Sequence, residues 1–268
     1  MLGANLRSVL FKGFPEPLNR HIDDWHRHIV LEQIDGGSGQ KILDVGCGYG
    51  RLSEAILEVY PEAEITGLDV SRHFVELFRT RTGRPAVQGR LEDWPELPGR
   101  FHLLICVTVL MYVPDECLDL AVGNLVGSLH PGGRMILIES HGSGLPFLTA
   151  CGLLRRRPMR GTRDLDTGGR YFLPGRIESL IAGAGARIVS RQRMSATSLA
   201  ILPLALAAKL LPRRLSGRLL RSVGWLDSLL DSWRLPSLHV AYIIEKSPSG
   251  EPTPGRPGPC SGGRHRAG

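Results

Sequence analysis

Residues 42–50 read ILDVGCGYG, an apolar run into Gly46, Gly48 and Gly50, and residues 51–59 then carry helical spacing. A strand that turns through glycines into a helix lets a ligand approach the backbone with no Cβ in the way. About twenty residues on, Asp69 closes a second short strand, residues 63–70, where a carboxylate can accept both hydroxyls of a ribose. A glycine loop alone is weak evidence. A loop after a strand, with an acid ending the next strand, is stronger. The spacing is GxGxG with Arg51 next, a poor fit to the GxGxxG or GxGxxA of dinucleotide binding.

The pattern continues outward on both sides. Residues 18–34 carry a helical stripe of Ile22, Trp25, Ile29, Val30 and Ile34. Ser71 caps a helix running through Arg79. Strands are expected at 85–88, 101–107, 134–139, 186–193 and 239–245, with helices at 114–129 and 175–185 and a turn at Pro131-Gly132-Gly133. Strands alternating with helices imply right-handed βαβ units and an α/β, doubly wound sheet. Two stretches depart from this rhythm: residues 142–170, long, Gly-rich and basic, and residues 195–237, a long insertion between the last two strands. The tail at 247–268 is rich in Pro, Gly and Ser and reads as disordered.

Composition narrows the class. A chain of 268 residues with 42% hydrophobic residues holds one well-buried domain plus an elaboration. Its net charge of +7 could serve a nucleic-acid partner. However, the Arg residues are scattered and aromatics are not interleaved with them, so no nucleic-acid partner is expected. A loose preference for anionic surfaces is the better reading of the charge. Cys47, Cys106, Cys117, Cys151 and Cys260 include no CxxC pair, which argues against zinc and for reduced thiols in a cytoplasmic protein. Residues 196–208 are apolar but are broken by Pro203 and followed by Lys209, too short for a membrane span.

The motifs taken in order resemble the class I S-adenosylmethionine-dependent methyltransferases of the small-molecule type. LDVGCGYGRL at 43–52 is similar to their first motif, and GLDVS at 67–71 to their second-strand acid. FHLLICVTVLMYV at 101–113 resembles the fourth strand and its exit, and LHPGGRMILIE at 129–139 the turn and fifth strand. The resemblance covers residues 20–194 and resumes at 239–246. It implies a seven-stranded Rossmann-like sheet with the last strand antiparallel, and S-adenosyl-L-methionine as cofactor. It further implies that Asp44 holds the loop and reaches the methionine amine through water or backbone. Gly46, Cys47, Gly48 and Gly50 would line the cofactor, with Asp69 on the ribose and Val70 on adenine. Leu91 and Glu92 stand where relatives read adenine, and Val107 would offer its carbonyl to the amine. Two positions depart from the family pattern. Arg90 stands where many relatives have Asp, and His102 replaces a common Asp at the end of the sheet away from the ligand.

Ligands bind at the carboxyl ends of the strands in such sheets, which sorts the catalytic candidates. Tyr112 follows the fourth strand and His141 the fifth, both on the correct side; His130 precedes the fifth and is on the wrong one. His141 is the candidate general base and Tyr112 a candidate acid, each weighed against a plain loop or packing role. Tyr171 and Arg170 could fold over the site. His26 and His28, two apart on a helix, face differently and make poor joint metal ligands. Residues 1–40 read as a cap helix, from which Arg20 or His21 could reach the methionine carboxylate.

The resemblance implies a methyltransferase domain over residues 41–246 whose reversed last strand puts the insertion at 195–237 on the active face, where it is expected as a helical lid. Leu215, Leu219, Val223, Leu226, Leu230 and Trp233 recur at helical steps, with Arg213, Arg214, Arg218 and Arg221 at the start. Three readings stay open: a core stripe, a lid over an apolar substrate pocket, or peripheral contact with an anionic membrane. The functional expectation is methyl transfer to a small, apolar acceptor, oxygen first, then carbon or nitrogen. The alternative is a non-catalytic protein that binds adenosylmethionine or a partner on the same fold. Oligomeric state is not legible.

Overall fold

The computed structural model describes residues 15–35, 39–141, 171–173, 175–230, 233, 235, 237 and 239–247. Its elements run α1 (Glu16–Glu32), β1 (Lys41–Val45), α2 (Arg51–Val59), β2 (Glu64–Asp69), α3 (Arg72–Thr82), β3 (Ala86–Gln88) and β4 (Phe101–Val107). Then come α4 (Leu118–Gly127), β5 (Leu129–Ser140), α5 (Arg176–Gly183) and β6 (Ala186–Arg193). The last are α6 (Ser195–Leu199), α7 (Ile201–Leu210), α8 (Arg213–Leu230) and β7 (His239–Lys246). Arg170, Cys151, Cys260 and the tail beyond 247 lie outside the described residues.

The strands form one seven-stranded sheet in the order β3-β2-β1-β4-β5-β7-β6. β1 pairs in parallel with both β2 and β4, whereas β7 is antiparallel to β5 and β6. This is the expected doubly wound sheet with its last strand reversed. Strand order changes direction between β1 and β4, so the crevice above their carboxyl ends is the switch point where ligands bind.

Two apolar layers sandwich the sheet. Phe101, Leu104, Leu125, Leu129, Leu180 and Ile181 mark one, and Ile29, Ile42, Ile56, Ile65, Phe78 and Ile105 the other. A third cluster joins the first half of α1 to the insertion: Leu18 and Ile22 pack with Met194, Ile201, Leu204, Leu220 and Val223. Burying each such side chain contributes roughly 1.5–3 kcal/mol, so α1 is held by the insertion at one end and by the sheet at the other.

Three elements differ from the sequence reading. The expected helix at 114–129 is a 3-10 turn at Asp115–Cys117 followed by α4. Pro131-Gly132-Gly133 does not separate a turn from a strand but lies within a continuous β5. There the step from Phe101 to Leu103 on β4 faces the step from Leu129 to Arg134, so the extra residues bulge out of the ladder, Gly132 at φ +73°. The third difference is the α8 stripe. Its buried line is Ser216, Leu220, Val223 and Asp227, while Leu215, Leu219, Leu226 and Trp233 are exposed. Hydrophobicity alone does not mark this line, because its buried face carries the Asp227 carboxylate, which accepts from Thr197.

Candidate functional site

The glycine loop is moored to the end of β2. Gly46 N–H and Cys47 N–H both donate to the Leu68 carbonyl, at 2.7 and 3.1 Å. Gly48 N–H donates to Asp69 Oδ2 at 2.9 Å, and Ser71 N–H to Asp69 Oδ1 at 2.8 Å. One carboxylate thus fixes the loop and the start of α3, with a lone pair left on each oxygen for a further donor. Burial raises the Asp69 pKa, and the two N–H donors oppose the rise. Gly46 holds φ +65°, and a Cβ there would stand 2.3 Å from Val109 Cγ2, so the residue that follows β4 packs directly on the loop. Gly50, at φ +92°, opens α2.

Asp44 is buried and accepts the Ser53 hydroxyl at 2.7 Å, which pins the first turn of α2 under the loop. Its burial pushes the carboxyl up to about 6 against the pull of the Ser53 hydrogen bond and the Arg51 charge. Cys47 is buried against Gly67, and its thiol is pushed up by burial.

Beside Asp69 lies a cavity of ≈ 390 Å³ lined by Val70, Gln88, Gly89, Arg90, Asp93, Trp94 and Pro95. Val70 presents an apolar side chain at 57% exposure, and Trp94 adds a flat one. Arg90 sits on this wall and pairs with Glu92 at 2.9 Å. Leu91 points into the core, and its carbonyl accepts from Asn124 Nδ2 at 2.8 Å. Of the residues expected around adenine, Val70 lines the cavity, while Leu91 and Glu92 stand behind or beside it. The donor set fits a nucleoside: an acid with free lone pairs at the mouth, an apolar and aromatic wall behind.

The turn after β4 is built by residues the sequence reading passed over. Glu139 Oε1 accepts from Val109 N–H at 2.9 Å and Leu110 N–H at 2.7 Å. Thr108 adopts φ +55°, uncommon for a non-glycine, and its hydroxyl donates to the Val107 carbonyl at 2.7 Å. The Val107 carbonyl, expected to meet the cofactor amine, therefore already carries one donor. A lone acid closing an otherwise apolar strand, ILIE at 136–139, was the available signal.

Tyr112 stands exposed in the 3-10 turn at Leu110–Tyr112. His141 is half-buried just past β5, bridged in parallel to Phe172, whose N–H donates to the Ser140 carbonyl at 2.9 Å. Tyr171 is thereby brought beside the end of β5, and both candidate groups follow carboxyl ends of neighbouring strands. Burial lowers the His141 pKa and Arg193 adds to this, with Glu178 opposing, so its imidazole is neutral at neutral pH. His102 accepts Lys41 N–H at 3.0 Å and stacks on His130, at the far end of the sheet.

The cap helix reaches the site through groups the sequence reading had not joined. Arg51, the first residue of α2, pairs with Asp23 of α1. Its other nitrogen donates to His26 Nδ1 at 3.2 Å, so His26 carries its proton on Nε2 and donates to His239 Nδ1 at 3.1 Å. Both imidazoles are buried at the start of β7. His28, by contrast, faces out and pairs with Glu32. Arg20 is also exposed, paired with Glu16. His21 Nε2 contacts Thr197 Oγ1 at 2.9 Å, and Thr197 donates that hydroxyl to Asp227 Oδ2. The single hydroxyl proton goes to the carboxylate, so His21 donates. Arg20 and His21, expected near the methionine carboxylate, are engaged here with Glu16 of α1 and Thr197 of α6.

Comparison with known proteins agrees with this architecture. Residues 42–133 match the family model described as a methyltransferase domain. The ubiquinone biosynthesis O-methyltransferase of Proteus mirabilis (strain HI4320) is 36% identical over 126 residues, 45% of this chain and 49% of that protein. The chain spans about half the length of the curated relatives it matches first. Among solved structures, magnesium protoporphyrin IX methyltransferase from Synechocystis PCC 6803 with bound SAH shares the fold at TM-score 0.57. Its sequence is 16% identical, with 86% of each chain covered. The cyclase SpnF does so at TM-score 0.55 and 18% identity, covering 84% of this chain and 81% of that one.

Proposed function

We propose that the protein is a class I S-adenosylmethionine-dependent methyltransferase that binds S-adenosyl-L-methionine and methylates a small, apolar acceptor, oxygen first; the match of residues 42–133 to a methyltransferase domain supports this. The observation that carries the cofactor is the Asp69 carboxylate, fixed by Gly48 and Ser71 beside the cavity of Val70 and Trp94 at the switch point. Asp69 would take the ribose hydroxyls, Val70 and Trp94 the adenine, and the loop from Gly46 to Gly50 the remainder. When bound, the cofactor supplies an activated methyl group on a sulfonium, a good leaving group.

The chain's own contribution is then positioning and proton handling. Gly46 under Val109 and Glu139 under Val109 and Leu110 hold the floor of the site rigid. The Arg51–Asp23 pair ties the cap helix to the loop, which helps exclude water. His141, kept neutral by burial, can accept a proton from an acceptor hydroxyl, and Tyr112 can donate a hydrogen bond. The apolar composition of residues 195–237 favours a greasy acceptor, and the O-methyltransferase relative favours oxygen. Acceptors of that kind partition into membranes, so membrane contact belongs to the same reading.

The test is release of S-adenosylhomocysteine from the purified chain with phenols, catechols, quinols and amines offered in turn. Turnover on a hydroxyl acceptor supports the reading. Tight cofactor binding without turnover on any acceptor class would favour a non-catalytic binder on this fold.

A further inference from the structure

We propose that the outer surface of α7 and α8 docks on an anionic lipid bilayer, lying in the interface rather than crossing it. The cofactor cavity and Asp69 play no part in the argument. Ten of the fifteen large apolar side chains exposed on the described surface fall between Leu199 and Trp233, seven of them on α7 and α8 themselves. Leu210 at 73%, Trp225 at 64%, Leu206 at 58% and Leu229 at 52% are its most solvent-facing members within the helices. A concentration of this kind marks an interaction site.

The helix geometry sets the pattern. With 3.6 residues per turn, the buried line of α8 runs through Ser216, Leu220, Val223 and Asp227. Leu215, Leu219 and Leu226 lie roughly a quarter turn to one side, and Arg214, Arg218, Arg221, Trp225 and Leu229 nearer half a turn round. On α7, Leu206 and Leu210 share the face turned from buried Ile201 and Leu204, with Lys209 beside them. Arg214, Arg218, Arg221 and Lys209 are exposed and enter no ion pair among the described residues.

A protein partner would have to supply both an apolar groove and a row of carboxylates in register. A bilayer supplies both without register: acyl chains for the leucines, phosphates for the arginines, and the headgroup boundary that suits Trp225 and Trp233. No helix among the described residues is long and apolar enough to cross a membrane, which fits a surface-lying pair.

Co-sedimentation of the purified full chain with sucrose-loaded vesicles tests this. One set is phosphatidylcholine alone; the other is equal parts phosphatidylcholine and phosphatidylglycerol. Binding to the anionic set, and much less to the neutral set, is expected. A basic residue at such a surface changes partitioning roughly fivefold, so Arg214→Gln with Arg218→Gln and Arg221→Gln should weaken it about a hundredfold. Leu210→Ser with Trp225→Ser and Leu229→Ser should weaken it by about tenfold or more. All six side chains are exposed, so both variants should melt like the parent. No binding to anionic vesicles, or apolar variants that bind like the parent, would overturn the proposal. So would a dimer in light scattering that dissociates in the apolar variant and does not bind vesicles. S-adenosylhomocysteine affinity of the same samples is a separate readout, and its loss bears on the methyl-transfer reading alone.

Discussion

Asp69 Oδ2 accepts the backbone N–H of Gly48 at 2.9 Å, so the acid that ends β2 and the glycine loop that ends β1 are one unit. The sequence places these groups far apart in the chain; the parallel pairing of Val45 with Leu68 brings them together. A loop held in this way is organised before any ligand arrives, which lowers the ordering loss on binding.

The packing of Val109 on Gly46 makes a double-mutant prediction. Gly46→Ala places a methyl 2.3 Å from a stiff β-branched side chain and puts a Cβ at φ +65°. We expect cofactor affinity to fall at least tenfold and stability to fall by about 1–3 kcal/mol. Val109→Ala in the same chain should recover the clash component and leave the backbone strain. Equal stability of the single and double mutants, measured by urea unfolding, would show that the contact is not limiting.

Buried histidines and a buried carboxyl oppose each other with pH. Burial lowers the pKa of His239 to about 4, with the Arg51 charge adding to it, and lowers that of His26 well below its usual value. Between these values and 6.5 the unfolded chain binds more protons, so stability falls as pH drops below 6.5 and is lost through pH 4. His239 contributes about 3 kcal/mol of this. Asp44, raised to about 6, has the reverse sign: the folded chain binds more protons between its ordinary value and 6, so stability falls as pH rises through that range. Asp44→Asn should therefore steepen acid destabilisation between pH 4 and 6, and His239→Gln should flatten it. Unchanged pH slopes in both variants, read from melting curves, would contradict the assignments.

The buried Asp227 accepts from Thr197 N–H at 3.1 Å and from the Thr197 hydroxyl, which in turn takes the His21 imidazole. Asp227→Ala leaves those donors unmatched in the interior and should cost about 2–4 kcal/mol. Because Leu18 and Ile22 share a core with Leu220 and Val223, removal of residues 195–237 should also release α1. Hydrogen exchange of α1 should rise in both variants, whereas β1, β2 and β4 stay protected. Unchanged exchange in α1 would show that the cap stands without the insertion.

His141→Gln should lower kcat by about 10²–10⁴ on a hydroxyl acceptor with little change in cofactor affinity. In the parent, activity should fall as pH drops through the lowered His141 pKa, below 6.5, where the imidazole takes up a proton. A variant with parental kcat and the same pH profile would remove His141 from the chemistry.

Much of the fold was legible because glycine loops, apolar strands and their spacing are local signals. The strands at 101–107 and 186–193 match the structure residue for residue. What was not legible depends on contacts between distant segments. Glu139 reads as an odd acid in a strand until Val109 and Leu110 are folded beside it. His26 and His239 are separated by most of the chain, and only the reversed β7 stacks them. The buried line of α8 is not legible from hydrophobicity, because Asp227 and Ser216 are buried while Leu215, Leu219 and Leu226 are exposed, and the partner that accounts for Asp227, Thr197, lies on another helix.

The central claim is that Asp69 and the loop it holds bind the methyl donor. Calorimetric titration of S-adenosylhomocysteine into the parent, Asp69→Asn and Asp69→Ala tests it most directly. Asp69→Ala also strands two N–H donors, at about 1–3 kcal/mol, so folding is checked by melting first. Asp69→Asn keeps an acceptor oxygen and isolates the charge. Saturable binding by the parent is expected, with at least about a hundredfold loss in both variants while they remain folded. Parental affinity in folded Asp69→Ala would contradict it.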